Sequence, residues 1–417
     1  MAQKRKIIGS TVVGNIVEYY DFGVYAVFAP TIGALFFPHH DGSTNDILAL
    51  IVFAIGFLMR PLGGIIFGHI GDVFGRKKAL ITSIIGMAFA TSSIGLIPSY
   101  DEIGFWAPAL LVAIRLIQGV CIGGEGAGSA VFILEHLDGY KPGLIGSIVM
   151  ASNMMGTLIA TFVGVFISQF FDYNPQSWRY AFLLGGVMGI AGLYLRYGLS
   201  ETPIFNNLKY DIEYQKKKKK LPILRVLEES WASILLITFL AGVATATAYI
   251  IRAYINIFFI RFHNFSPRDS LLLTSMCLIA FILLLPGLGI ISDKIGYKKM
   301  IIAACISIIS LSFPIFYLLS CDNLPSILLG LLLLSVIAAL ISAPAYPYAI
   351  ESFTPSLRYS GIAFSWNTGN AIFGGTSPAI AAFLAGFIGE TGPSFYLIFI
   401  SCTFLLVSAL LKRVVHT

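Results

Sequence analysis

Twelve separate stretches, each of about 20 or more mostly apolar residues, the length that crosses a bilayer as a helix, run through this sequence and leave it few ways to fold. The apolar pattern predicts spanning helices over Ile8–Phe37, Asn45–His69, Ala79–Pro98, Phe105–Leu137, Gly143–Phe171, Trp178–Tyr197, Trp231–Phe262, Ser270–Ile291, Met300–Leu319, Leu324–Ile350, Tyr359–Ile388 and Pro393–Leu411. Only 12% of the residues are charged, against roughly 25% in soluble domains. So few charges cannot cover a globule with polar surface, and the chain reads as an all-α, multi-pass membrane protein. The opening MAQKRKII is similar to the basic part of a signal peptide. The apolar run behind it is long, holds carboxylates and shows no clear small-residue cleavage site, so it is expected to be retained as the first helix.

Orientation follows from the basic residues. The N-terminus, the Arg76-Lys77-Lys78 loop, Lys141, the central loop (with Arg196, Lys209, Lys216 to Lys220 and Arg225), Lys294, Lys298, Lys299, Arg358, Lys412 and Arg413 lie on one side. Only Arg179, Arg261 and Arg268 lie on the other. Both termini are therefore expected in the cytoplasm, in agreement with an even number of spans, which places them on the same side. The net charge of +6 raises the question of nucleic acid. The five-lysine run sits in the longest cytoplasmic loop, however, and reads as a topological anchor on anionic lipid headgroups, with no nucleic-acid partner. The five cysteines are scattered, form no CxxC pair and read as small buried apolar residues; no cofactor or metal site is expected. Trp106, Trp178 and Trp231, at helix ends, read as interface anchors.

An internal repeat sets the architecture. GHIGDVFGRKKALI from Gly68 returns as GIISDKIGYKKMII from Gly289. Asp72 aligns with Asp293, Gly75 with Gly296, Lys77 with Lys298 and Lys78 with Lys299. EHLDGYKPG from Glu135 is echoed by ESFTPSLRYSG from Glu351. The expected organisation is a six-helix bundle over 1–199, a cytoplasmic linker over 200–230 and a second six-helix bundle over 231–417. Two parallel halves of this kind fit alternating access around a site at the bilayer midplane.

Charges inside the spans mark candidate chemistry. Glu18 and Asp21 share one helix face, and Tyr25 extends it. At about 1.5 Å rise per residue they lie near mid-bilayer, at a depth similar to Arg115, with Arg60 slightly deeper. A carboxylate whose partner changes between conformations can load and release a proton. Glu18 or Asp21 is thus a candidate proton-coupling group; the alternative is a static ion pair with Arg115 or Arg60. Glu125, nearer the cytoplasm, either relays protons or pairs with Arg60. Candidate substrate contacts are Tyr25, Arg115, Gln118, Asn153, Arg252 (a cation suited to an anionic ligand group, or one snorkelling outwards), Trp366, Asn367 and Asn370. At the cytoplasmic face Asp72, Arg76, Glu135, Asp293, Lys298 and Glu351 read as a gate of interhelical ion pairs: Arg76 with Glu135, and Lys298 or Lys299 with Glu351. GxSxG, HExxH and clustered Cys/His are all missing from the sequence, so nothing points to an enzyme.

GHIGDVFGRKK and its second copy resemble the signature loop of the major facilitator superfamily. GNIVEYYDFGVY, RPLGGIIFGHIGDVFGRKKAL, RLIQGVCIGGEGAG and ESFTPSLRYSGIAFSWNTGNAIFGG resemble its metabolite:proton symporter branch, whose members carry proline and betaine, α-ketoglutarate, citrate or shikimate. The resemblance covers essentially the whole chain. It implies proton-driven uptake of a small carboxylate or zwitterion across a bacterial inner membrane; the alternative is a facilitator or exchanger in which Glu18 and Asp21 are structural, and two pseudo-symmetric halves sharing one site make a monomer the default state. Two positions depart from the pattern: Tyr19 stands where the branch often has Trp, and Tyr297 where the first loop has Arg76. Osmosensing members carry a long coiled-coil tail that has no counterpart after Arg413, so regulation by that route is not expected.

Overall fold

The computed structural model describes residues 2–37, 42–137, 139–171, 176–208, 210 and 220–411. Lys209, Lys216 to Lys219, Lys412 and Arg413 lie outside the described residues. Among those described, every regular element is helical. In order they are α1 (Ala2–Val27), α2 (Ala29–Phe36), α3 (Gly42–Val73), α4 (Arg76–Leu96), α5 (Tyr100–Ile103), α6 (Trp106–His136), α7 (Pro142–Phe170), α8 (Trp178–Tyr197), α9 (Pro203–Leu208), α10 (Pro222–Glu229), α11 (Trp231–Tyr249), α12 (Ile255–His263), α13 (Pro267–Ile295), α14 (Tyr297–Leu319), α15 (Leu324–Ser342), α16 (Ala345–Glu351), α17 (Arg358–Gly369), α18 (Ser377–Ile388) and α19 (Pro393–Leu410). Eleven helical stretches among the described residues are long and apolar enough to cross a membrane. The remaining predicted span is α1 with α2. Pro30 offers no N–H and crowds the preceding turn, and the helix breaks for one residue at Phe28 before resuming.

Packing divides the chain into two units, Met1–His136 with Ser152–Ile223, and Leu137–Ala151 with Leu224–Thr417. In the first, α3 lies along α6, α4 packs against α6 and α8, and α1 packs against α8 and α6. In the second, α11 packs against α17 and α19, α13 against α15, and α14 against α15 and α19. The repeat read from sequence is also a repeat of backbone. Gly75 (φ 118°) and Gly296 (φ 95°) stand at equivalent helix junctions, in a region where an L side chain is strained.

Lipid supplies no hydrophobic drive for helix association, so close van der Waals contact has to do it. The α3–α6 seam shows how. A Cβ on Gly123 would fall 2.8 Å from the Gly63 Cα and against the Arg60 carbonyl, and one on Gly119 would strike the Gly56 backbone. These neighbours are backbone and cannot step aside. Gly123→Val is therefore expected to cost about 1–3 kcal/mol or more, read as a lower unfolding temperature in detergent.

Two spans of the second unit contain π-turns, Ile250–Tyr254 between α11 and α12 and Asn370–Gly374 after α17. Such turns add a residue to a helical turn and cluster at functional positions. Three readings from sequence need correction. Trp178 is buried (1% exposed), edge-on to Phe36 of α2 and Phe182 of its own helix, because it is part of an apolar core cluster; Trp106 and Trp231 are exposed. Arg196 belongs to the last turn of α8, not to the linker, and is buried. Cys121, Cys277 and Cys305 are buried, but Cys321 sits at a helix end half-buried and Cys402 faces outward.

Candidate functional site

The buried polar groups of the first unit fall into three clusters. The first is built on α1, α4 and α6. Glu18, Asp21 and Tyr25 are all buried, Asp21 and Tyr25 completely. Asp21 forms no ion pair with a described residue. Its Oδ2 accepts a hydrogen bond from Thr91 Oγ1 on α4 at 2.8 Å, and its Oδ1 has no hydrogen-bond partner. Thr91 Oγ1 in turn accepts from Gln118 Nε2 at 2.9 Å, and Gln118 Oε1 accepts from Arg115 Nη1, one helical turn earlier on α6. The Arg115 guanidinium lies 3.4 Å from the ring centroid of Tyr25, whose hydroxyl donates to the Ala49 carbonyl at 3.2 Å. Carboxylate and guanidinium are thus connected through a hydroxyl and an amide. Four residues singled out in the sequence, Asp21, Tyr25, Arg115 and Gln118, meet here; Thr91 was not among them.

Beside this cluster Arg60 of α3 is 1% exposed. Its guanidinium lies beside the edge-to-face pair of Phe22 and Phe57, 4.7 and 4.6 Å from their centroids, which are themselves 4.7 Å apart. It forms no ion pair with a described residue, and its Nε has no hydrogen bond. An aromatic contact stabilises a desolvated guanidinium by about 2 kcal/mol, set against a burial cost of several kcal/mol.

The second cluster corrects the reading of Glu125. Its partner is Arg196 of α8, not Arg60. Arg196 grips it with both terminal nitrogens, Nη1 at 2.7 Å from Oε2 and Nη2 on Oε1. Ser83 Oγ and Ser129 Oγ donate to the same carboxylate at 2.9 and 3.0 Å. Four donors saturate it. A Cβ on Gly14 would overlap the Arg196 guanidinium, so the glycine of the VGNIVEYYD stretch makes the seat for an arginine at the far end of the unit's sequence.

The third cluster is at the loop between α3 and α4. Arg76 is fully buried and pairs with Glu135 (Nε–Oε2 3.1 Å) and Asp72 (Nη1–Oδ1 3.3 Å). The segment after α8, which sequence reading passed over, closes over it. Thr202 Oγ1 donates to Glu135 at 2.8 Å, the Glu201 carboxylate accepts from the Lys77 amide at 3.2 and 3.3 Å, and the Phe205 ring lies 5.0 Å from the Arg76 Cζ. The one available signal was the ETP triplet, a helix-capping threonine next to a carboxylate, just beyond the sixth span.

In the second unit Asp293 accepts from the amides of Gly143 and Leu144 (2.7 and 3.1 Å) and from the Tyr297 hydroxyl (2.9 Å). A carboxylate is well placed there, on the positive end of α7. Lys298 lies in the first turn of α14, half-buried, and Glu351 closes α16, exposed. Trp366 is buried with its ring 4.5 Å from that of Tyr346. Asn367 donates to the Ala363 carbonyl at 2.7 Å. Asn370 opens the second π-turn, buried, with no partner for its Oδ1. Arg252 lies inside the first π-turn, half-buried, its Cζ 5.0 Å from the Tyr249 ring centroid. Asn153, in the first unit, is buried with no partner for its Oδ1.

Helical units with buried charge clusters and a doubled signature loop define a class, and comparison with known proteins gives the same one. Residues 11–375 match the Major Facilitator Superfamily model. The chain is 32% identical over 98% of its length, and 83% of the relative's, to the glycine betaine/proline/ectoine/pipecolic acid transporter OusA of Dickeya dadantii. It is 31% identical, with the same coverage, to the proline/betaine transporter of Escherichia coli K12. A putative proline/betaine transporter of Staphylococcus aureus is 33% identical over 95% of this chain and 86% of that one. Among solved structures, the proton:xylose symporter XylE bound to 6-bromo-6-deoxy-D-glucose superposes with a TM-score of 0.80 at 16% identity, over 99% of this chain and 96% of that one; at that identity the likeness concerns the fold. The chain belongs to the Major Facilitator Superfamily. It is a multi-pass membrane transporter and not an enzyme.

Proposed function

We propose that the protein is a proton-coupled symporter of a small zwitterion of the proline or betaine type, working by alternating access in a cell inner membrane with both termini in the cytoplasm. The observation that carries the reading is the state of Asp21. Glu125, saturated by four donors, is a fixed charge. Asp21 is as deeply buried but holds one hydroxyl and no cation, so its charge is not locked to any one partner. A group in that position can gain a proton in one conformation and lose it in another. Glu18, close against Gly126 of α6, frames the same site.

The relatives' names support the substrate class, and so does Arg60. A buried guanidinium without a carboxylate partner among the described residues is completed by an anionic group on the substrate, held by the planar fork. Arg115, Gln118 and Tyr25 are proposed to line the same site; Asn153 in the first unit, and Arg252, Trp366, Asn367 and Asn370 in the second, are each proposed as substrate contacts of their own unit. Arg76, Asp72, Glu135, Asp293, Lys298 and Glu351 are proposed to hold the cytoplasmic gate. Arg60→Lys keeps the charge but loses the fork and the guanidinium's contact with the two rings. It is expected to raise the half-saturation constant for labelled glycine betaine or proline at least tenfold, about 1.4 kcal/mol, in proteoliposome counterflow. An unchanged constant removes Arg60 from the site. Uptake of the two compounds into proteoliposomes with an alkaline interior tests the function itself. Accumulation abolished by a protonophore is expected; simple equilibration contradicts coupling, and no uptake of either contradicts the substrate class.

A further inference from the structure

We propose that α10, the short helix before α11, is an interfacial anchor whose open apolar face lies in the headgroup–acyl boundary of a leaflet carrying anionic phospholipid. Lipid, not a second protein, occupies that face. The inference does not depend on which solute is carried or on what couples its movement.

α10 has eight residues, PILRVLEE. At about 100° per residue its side chains fall into two arcs. Arg225, Glu228 and Glu229 form the polar arc. Pro222, Val226, Ile223, Leu227 and Leu224 follow one another round the apolar arc, which spans about 200°. The protein covers one edge of it. Pro222 and Val226 are buried and Ile223 is half-buried, but Leu227 and Leu224 are 47% and 49% exposed. The helix therefore has three sides: one turned to the protein, one polar, and one apolar and open. A short helix with one apolar side, one charged side and basic neighbours is the kind that lies in the plane of a membrane surface.

Place, direction and charge identify the occupant of the open side. Only Ser230 separates α10 from α11, where the span Trp231–His263 begins. Leu227 is thus about 6 Å of helical rise from the start of that span. The backbone at Ser230 (φ −140°, ψ 28°) leaves helical geometry, so α10 turns off the axis of α11 instead of extending it into water. Trp231, at the junction, is 48% exposed, as an aromatic anchor at headgroup depth is. Lys216 to Lys220 stand immediately before the helix in the sequence, and Lys220 is exposed. On α10 itself Arg225 Nε lies 3.2 Å from Glu229 Oε1, which offsets one of the two acidic charges. A lysine near an anionic surface strengthens attachment about fivefold. Lysines alone would rest on the headgroups; Leu224 and Leu227 give the helix a side that enters below them.

The test places a nitroxide label at Leu224→Cys, Leu227→Cys or Glu228→Cys, one at a time. Cys321→Ser and Cys402→Ser remove the two cysteines that are not buried. Each full-length variant is reconstituted in phosphatidylcholine vesicles with and without phosphatidylglycerol. Accessibility of the label to oxygen, which concentrates among acyl chains, is compared with accessibility to a water-soluble nickel complex. With phosphatidylglycerol present, the Leu224→Cys and Leu227→Cys labels are expected to favour oxygen and the Glu228→Cys label nickel. Leaving out phosphatidylglycerol is expected to raise nickel accessibility at the two leucine positions. Lys220→Gln in phosphatidylglycerol vesicles is expected to raise it about fivefold, the factor for one lysine. Leucine-position labels as open to nickel as the Glu228→Cys label put the face in water and overturn the proposal. Protection that is the same with and without phosphatidylglycerol overturns the anionic lipid as partner. Protection that disappears as the lipid-to-protein ratio is raised means that a second copy covers the face, and overturns it too. The two leucine positions report one face, so either suffices if the other variant does not assemble.

Discussion

Asp21→Asn is expected to abolish proton-driven accumulation of substrate while leaving counterflow within a few-fold of the wild type. The amide nearly matches the carboxylate in shape. It can still accept from Thr91 through its oxygen, and its NH2 end costs little more than the Oδ1 it replaces, which already has no partner. The bundle around it should therefore survive. What the amide cannot do is gain or lose a proton. Accumulation ratios fall from the value the gradient sets to about one. For a tenfold ratio that is a loss of about 1.4 kcal/mol of coupling, and for a hundredfold ratio twice as much. Parallel measurements of accumulation and counterflow separate this outcome from misfolding, which removes both. Glu18→Gln, made alongside, shows whether the neighbouring carboxylate shares the role.

Arg196→Met is expected to be the most destabilising of the substitutions considered, by about 3–5 kcal/mol. It strips a completely buried carboxylate of its bidentate partner and leaves Ser83 and Ser129 as the remaining donors to Glu125. The double variant Glu125→Gln with Arg196→Met removes both charges. It is expected to recover most of that loss, because a neutral pair of similar volume carries no desolvation penalty. Thermal unfolding in detergent checks both. A single variant as stable as the wild type would mean that the pair is not what holds α6 to α8.

Much of this was legible in the sequence. Spans announce themselves by twenty-residue apolar runs, and the repeat by Asp72 and Asp293 at matching positions. The face shared by Asp21 and Tyr25 follows from helical spacing, and the pairing of Arg76 with Glu135 from opposite charges closing one side of the bilayer. What escaped were contacts between helices distant in sequence. Arg196 reads as one more basic residue beside a basic linker, and only the fold shows it turned inward on Glu125, in a space left by Gly14. Thr91 is one hydroxyl in the string ATSS; nothing local tells it from Ser92 or Ser93. Its significance comes from facing Asp21 and Gln118 at once. Trp178 has the position of an interface anchor, yet it is buried in a core cluster with Phe36 and Phe182. The π-turns at Arg252 and Asn370 leave no trace in apolar periodicity, since one added residue shifts the helical phase without changing composition.

The central claim is that substrate and proton cross together through Asp21. Its most direct test is proton movement without an imposed gradient. Proteoliposomes holding a trapped pH-sensitive dye are given glycine betaine or proline from outside. The account predicts that the interior acidifies as substrate enters, that a protonophore cancels the change, and that Asp21→Asn vesicles take up substrate with no acidification. Substrate entry in wild-type vesicles with no change in interior pH would contradict it and make the protein a facilitator whose buried carboxylate is structural.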